Sequence, residues 1–148
     1  MRKLVVGFAA LCLTGMAATA ADDPIAVRKH IMDSVGAAAG LTGGMMKGAV
    51  PYSPAAGKSA IATMVAAAAS YGAFFPEGTD MGDTTASPKI WEDAAGFQKA
   101  LDKFAADAGA AMAASGKDGP ADLDAFKAAM GPVMGNCKSC HETYRVKK

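Results

Sequence analysis

The sequence predicts an all-α chain, an antiparallel up-and-down four-helix bundle, and three observations carry that prediction. Alanine is abundant and runs of β-branched residues are absent, a composition that favours helix over strand. Asp23-Pro24, Ser53-Pro54 and Ser87-Pro88 each set a capping side chain before a proline. The side-chain oxygen accepts an orphan backbone N–H, and proline suits the first helical turn. Gly119-Pro120 is a weaker form of the same signal, so four starts imply four helices. Apolar residues then recur at alternating steps of three and four, one inward stripe per helix. At 148 residues and 51% hydrophobic content the chain closes one domain without disulfides.

The first helix, roughly 24 to 48, directs Ile25, Arg28, Met32, Val35, Ala39, Thr42 and Met46 inward, with one basic residue interrupting the stripe. The second, roughly 54 to 73, does the same with Ile61, Met64, Ala68 and Tyr71. A Gly/Pro/Asp-rich stretch from Phe74 to Ser87 follows and reads as the one long loop. The third helix, roughly 93 to 115, buries Phe97, Leu101, Phe104, Ala108 and Met112 and stops at Ser115-Gly116. The fourth, roughly 121 to 145, aligns Leu123, Phe126, Met130, Val133, Cys137, Cys140 and Tyr144, so its cysteines face the core. Short connections between helices 1 and 2 and between 3 and 4 suit the up-and-down topology. Pro132 falls inside the fourth helix, where it removes a backbone hydrogen bond at a cost of about 3 kcal/mol. A kink or short break is therefore expected near Ala128 to Gly131. Gly36, Gly40, Gly43 and Gly44 form a face that either lets a helix or second subunit approach closely or is plain surface.

The N-terminus pairs Arg2 and Lys3 with an apolar run from Leu4 to Met16 and then Ala18-Thr19-Ala20, a small-x-small cleavage pattern. Residues 1–20 read as an export signal that is removed, leaving a domain at 21–148. The apolar run is shorter than the roughly 20 residues that span a bilayer, so no permanent membrane anchor is expected. Cys12 lies inside the signal and follows Leu11 rather than a small residue, so it is discarded with it. Removal takes Lys+Arg from 15 to 13 against 14 Asp+Glu, and the net charge from +1 to −1. A near-neutral chain is not built around nucleic acid.

Two cysteines then remain, three positions apart, in Cys137-Lys138-Ser139-Cys140-His141. A disulfide over so short a loop staples nothing distant. The pattern is that of c-type haem attachment. Two thiols add across the haem vinyl groups, and the adjacent histidine sits under the iron as a neutral imidazole ligand. A thioredoxin-type pair would need a strand before it, and none is predicted. A structural zinc site needs four ligands, and only remote His30 would supplement these three. One haem c with its iron is the expected cofactor, held covalently by Cys137 and Cys140 with His141 as axial ligand.

This motif at the C-terminal end, followed by Glu142-Thr143-Tyr144-Arg145, is accompanied by four upstream segments in order. They are Arg28-x-x-x-Met32, Lys47-Gly48-Ala49-Val50-Pro51-Tyr52, Phe75-Pro76-Glu77-Gly78-Thr79 and Pro88-Lys89-Ile90-Trp91. Together they resemble the cytochrome c prime family, the class II c-type cytochromes. The resemblance implies a periplasmic four-helix bundle with haem lodged between helices, often a homodimer. It also implies one of two behaviours. Members with an apolar side chain over a five-coordinate iron bind nitric oxide or carbon monoxide, whereas low-spin relatives place a first-helix methionine on the iron and carry electrons between redox partner proteins. The matching position is Met32, whose thioether can ligate iron or fill the pocket.

Around it, Arg28 on the inward stripe is costly unless paired, and haem propionates suit its fork of donors. Arg145, four residues after His141, matches a family position near the haem, and Phe75 lies in a matching segment. His30 is two residues from Met32, about 200° around the helix, and is read as a surface histidine. Tyr52, Trp91 and Phe126 are read as core, as are Met46, Met64 and Met130. A single-haem electron carrier is the first functional expectation, with Lys138, Lys147 and Lys148 either docking an acidic partner or forming plain solvated surface. A gas-binding protein is the alternative, and no enzyme is expected because no distal acid/base pair stands on the stripe.

Overall fold

The computed structural model describes residues 23–147. The expected export signal at 1–20, with Cys12, and Lys148 lie outside the described residues. Helix α1 runs Pro24–Met46, α2 Pro54–Ser70, α3 Lys89–Glu92, α4 Ala94–Ala114 and α5 Leu123–Tyr144, with a 3-10 turn at Tyr71–Phe74. The caps explain the starts. Asp23 accepts from the Ile25 N–H and Ser53 from the Ala56 N–H, each directly before a proline. The Ser87-Pro88 signal opens only the single turn α3, after which Asp93 caps α4 by accepting from Gly96. The last long helix is capped by Asp122, which accepts from Ala125, rather than by the Gly119-Pro120 pair. The four long helices of the expected bundle are thus present, with one extra turn.

Helix α1 packs on α2, α2 on α4 and α4 on α5, while α1 and α5 touch far less. That weaker seam is where the bundle is held open. Two apolar clusters lie on either side of the opening. One joins Val35, Met45, Ile61, Met64, Ala108, Phe126, Met130 and Val133. The other joins Ile90, Phe97, Leu101 and Tyr144, with Tyr71, Phe75 and Trp91 packed against it. Tyr52 tilts against Phe126 and donates to the Pro120 carbonyl, closing the first cluster's end. Gly119 passes so near Pro54 that a Cβ there would sit 2.1 Å from its carbonyl oxygen, at a φ of +106°. Only glycine fits that crossing.

Two expectations are corrected. In the C-terminal half of α1 the buried positions are Ala38 and Met45, not Ala39 and Met46, which are half-buried. Adjacent identical residues, Ala38-Ala39 and Met45-Met46, leave a step of three or four equally apolar, and packing on α2 decides between them. Helix α5 runs on through Pro132, so of the kink or short break expected there it is the break that is absent. Pro132 and Ala128 are both exposed, so water can serve the Ala128 carbonyl that proline leaves without a donor.

The loop from Phe75 to Ser87 folds back over the open seam and is tied down at two places. Arg28 Nη1 donates to Thr79 Oγ1 at 3.0 Å, and Nη2 donates to the Thr79 carbonyl at 2.7 Å and to Thr84 Oγ1 at 3.4 Å. Lys29 pairs with Asp83 at 2.5 Å. At the loop's far end Ala86 and Arg145 form an antiparallel bridge. The Ser87 N–H donates to the Tyr144 carbonyl, and the Val146 N–H donates to the Thr85 carbonyl.

Candidate functional site: an apolar cavity between the first and last helices

The open seam holds a cavity of about 440 Å³, a volume in the range of small-molecule and cofactor sites. It gathers every site residue expected from the sequence. Arg28 and Met32 line it from α1, Phe75 from the loop, and Cys137, Cys140, His141 and Arg145 from α5 and its end. His30 is exposed and takes no part in the lining, as its angular separation from Met32 requires. Trp91 stays in the aromatic cluster, donating from its indole nitrogen to the Phe75 and Pro76 carbonyls. Met64, Met130 and Phe126 are fully buried in the opposite cluster.

The cysteines reach one wall because a helix returns to nearly the same face after three or four residues. Cys137, Cys140, His141 and Tyr144 follow that step down α5 and all line the cavity. Both cysteines are half-buried free thiols. Burial pushes each thiol's pKa up, so they stand as neutral S–H groups. His141 lies at the solvent edge of the cavity, and burial and then the positive charge of Arg145 push its pKa down. Its imidazole is therefore neutral at pH 7, the form that offers a lone pair to a metal.

Arg28 is only 3% exposed, and no carboxylate pairs with it among the described residues. Its guanidinium lies 4.6 Å from the Phe75 ring centroid and 5.9 Å from that of Trp91. Burial lowers its pKa, though not enough to discharge an arginine. A buried cation held by hydroxyls, a carbonyl and ring faces still lacks an anion.

Sequence reasoning missed several polar residues of the cavity, Asp33, Thr84, Thr85, Asn136 and Tyr71 among them. Asn136 is 7% exposed and donates to Asp107 Oδ2 at 2.7 Å and to the Pro132 carbonyl at 3.0 Å, clamping α5 to α4 just before the first cysteine. The signal was its spacing, three residues after Val133 on the inward stripe. Tyr71 was placed on a stripe but read as core. It lines the cavity instead.

The family model described as Cytochrome C′ matches residues 23–145. The chain belongs to the cytochrome c′ family. Cytochrome c′ of Rhodopseudomonas palustris is 39% identical over 150 residues, covering 100% of this chain and 99% of that protein. Cytochrome c-556 of Agrobacterium tumefaciens (strain II Chrys) is 35% identical over 121 residues, covering 82% of this chain and 95% of its own length. The solved structure of the Rhodopseudomonas palustris cytochrome c′ superposes with a TM-score of 0.76 at 39% identity, covering 85% of this chain and 98% of that one. Cytochrome c′ proteins carry c-type haem with its iron, and this four-helix bundle is a haem protein of that family. The residues at hand fit the group: two free thiols and a neutral imidazole on one helical face, an apolar cavity between helices, and a buried arginine without a carboxylate. Among the described residues no helix is long and apolar enough to cross a membrane.

Proposed function

We propose that this cytochrome c′ relative is a single-haem electron carrier, with Met32 and His141 as the two axial ligands. The observation that carries the reading is that Met32 of α1 and the Cys137-to-His141 turn of α5 line the same cavity from its two opposed helices. When bound, the haem supplies a one-electron ferric/ferrous couple. The chain's part is to hold and tune it. Cys137 and Cys140 offer the thiols for thioether attachment, His141 offers its neutral imidazole and Met32 its thioether. Arg28 and Arg145 line the cavity and would meet the haem carboxylates, and Phe75 forms part of the apolar wall. Such a rigid, largely apolar surround limits reorganisation between charge states.

The same reading has the mature chain begin after Ala20 and work in the periplasm, where it meets redox partner proteins. Lys138 and Lys147 lie near the attachment helix's end and suit an acidic docking face. A carrier is favoured over a haem enzyme because the histidine nearest Met32 in sequence, His30, is exposed away from the cavity. The gas-binding alternative draws on the apolar side chains of Val35, Ala39 and Phe104 around the methionine, which also suit an open face that admits a small neutral gas.

Optical spectra of the ferric and ferrous protein, with carbon monoxide added, decide between them. Low-spin spectra that the gas leaves unaltered are expected. High-spin spectra that convert on gas addition take Met32 off the iron and leave the gas-binding reading. Met32→Ala should turn low-spin protein high-spin, and an unchanged spectrum refutes the ligand assignment.

A further inference from the structure

Three tyrosines divide unequally in this fold. Tyr52 donates to the Pro120 carbonyl and Tyr144 to Asp93 Oδ2 at 3.2 Å. Tyr71, half-buried on the cavity wall, has no hydrogen-bond partner for its hydroxyl among the described residues. Its ring is fixed, edge-on to Phe75 with centroids 5.0 Å apart at 80°. Burial holds its pKa up to about 12 against the opposing fields of Arg28 and Arg145, so it is an O–H donor at any working pH. Arg28 has donors to spare: a guanidinium carries five N–H groups, and the three contacts to Thr79 and Thr84 leave two. Two guanidiniums and one unpartnered phenol thus border the same cavity within each other's electrostatic reach. Thr84 and Thr85 on the same lining already accept from Arg28 and Arg145, and Asp33 also lines the cavity without pairing to either arginine among the described residues. The donors left over suit an anion that takes several hydrogen bonds at once, which a carboxylate does.

We propose that Tyr71 donates a hydrogen bond to a haem carboxylate and forms, with Arg28 and Arg145, a carboxylate-binding corner of the cavity. The inference rests on the haem reading and assigns Tyr71 a positioning role within it. Its effect is to fix that edge of the group and to neutralise part of the negative charge near the iron, favouring the ferrous state.

The test uses the haem-loaded protein and its Tyr71→Phe variant, which keeps the ring on Phe75 and removes the hydroxyl alone. Redox-induced infrared difference spectra in light and heavy water read the carboxylate stretch. Wild type should show a carboxylate band that shifts in heavy water; a band insensitive to deuterium overturns the proposal without any variant. In Tyr71→Phe the band should move and its deuterium shift should shrink, since only the arginine N–H groups then remain on the carboxylate, the midpoint potential should fall, and the iron's spin state should stay as in wild type. An unmoved band, or a changed spin state that places the hydroxyl at the iron, overturns it equally. Failure of the haem reading is seen separately, as wild-type protein that releases its haem on acid extraction.

Discussion

At one end of the bundle Met45, Ile61, Met64, Phe126, Met130 and Val133 are buried completely. At the other, Tyr71, Phe75, Phe97 and Tyr144 border a cavity of about 440 Å³. The closed end gains its hydrophobic stabilisation from the chain alone, at about 25 cal/mol per Å² of apolar surface buried. The open end presents apolar walls to whatever fills it, so its stability is tied to occupancy. Division of labour follows from one architecture: half of the bundle specifies the fold, and the other half offers the cavity that the proposed function fills with haem. Among the described residues the buried charged group, Arg28, belongs to the open end.

The largest expected effect separates the two ends outright. Cys137→Ala with Cys140→Ala should leave no haem on the chain after acid extraction. Hydrogen exchange should then show lost protection around Phe97 and Tyr144, with amides near Phe126 to Val133 still protected. Uniform loss throughout the bundle would break the comparison. Truncation should also cost more at the closed end. Phe126→Ala should lose about 4 kcal/mol in a denaturant titration, and Phe75→Ala in haem-free protein about 2 kcal/mol, because that ring already looks into open space. In haem-loaded protein the spectrum should respond only to Phe75→Ala.

A smaller change concerns Thr42, whose Oγ1 is the buried side-chain polar atom without a partner among the described residues. Thr42→Val should raise stability by about 1 kcal/mol, read as a higher Tm, since an orphan hydroxyl costs more than the methyl that replaces it. The smallest effect is in acid. Lys103 and then Asn136 hold the Asp107 carboxyl below its usual range. A depressed folded-state pKa stabilises the fold above the unfolded value, near 4, and that contribution fades as pH falls through the folded one. Asp107→Asn should therefore flatten the low-pH limb of the stability curve and change little at pH 7.

The closed end and the attachment turn were legible in the sequence for the same reason: each repeats one residue class at a helical spacing. Proline and capping pairs marked α1 and α2 directly. What was not legible depended on contacts between distant segments. The choice of Ala38 over Ala39 is made by the α2 surface, and Pro132 was harmless because it fell on the solvent side. Asn136 and Tyr71 could be placed on inward stripes from spacing, but whether a stripe meets side chains or a cavity is set by how far α1 and α5 stand apart. No local pattern encodes that separation.

The bridge between Ala86 and Arg145 also acts as a rotational stop. A helix that slips by one residue turns through about 100°, which would carry Cys137, Cys140 and His141 together off the cavity wall. Pairing the residue just beyond α5 to a loop fastened on α1 fixes the angle of the last helix about its own axis. The attachment turn is aimed by a backbone contact at its far end, independently of the cysteines themselves.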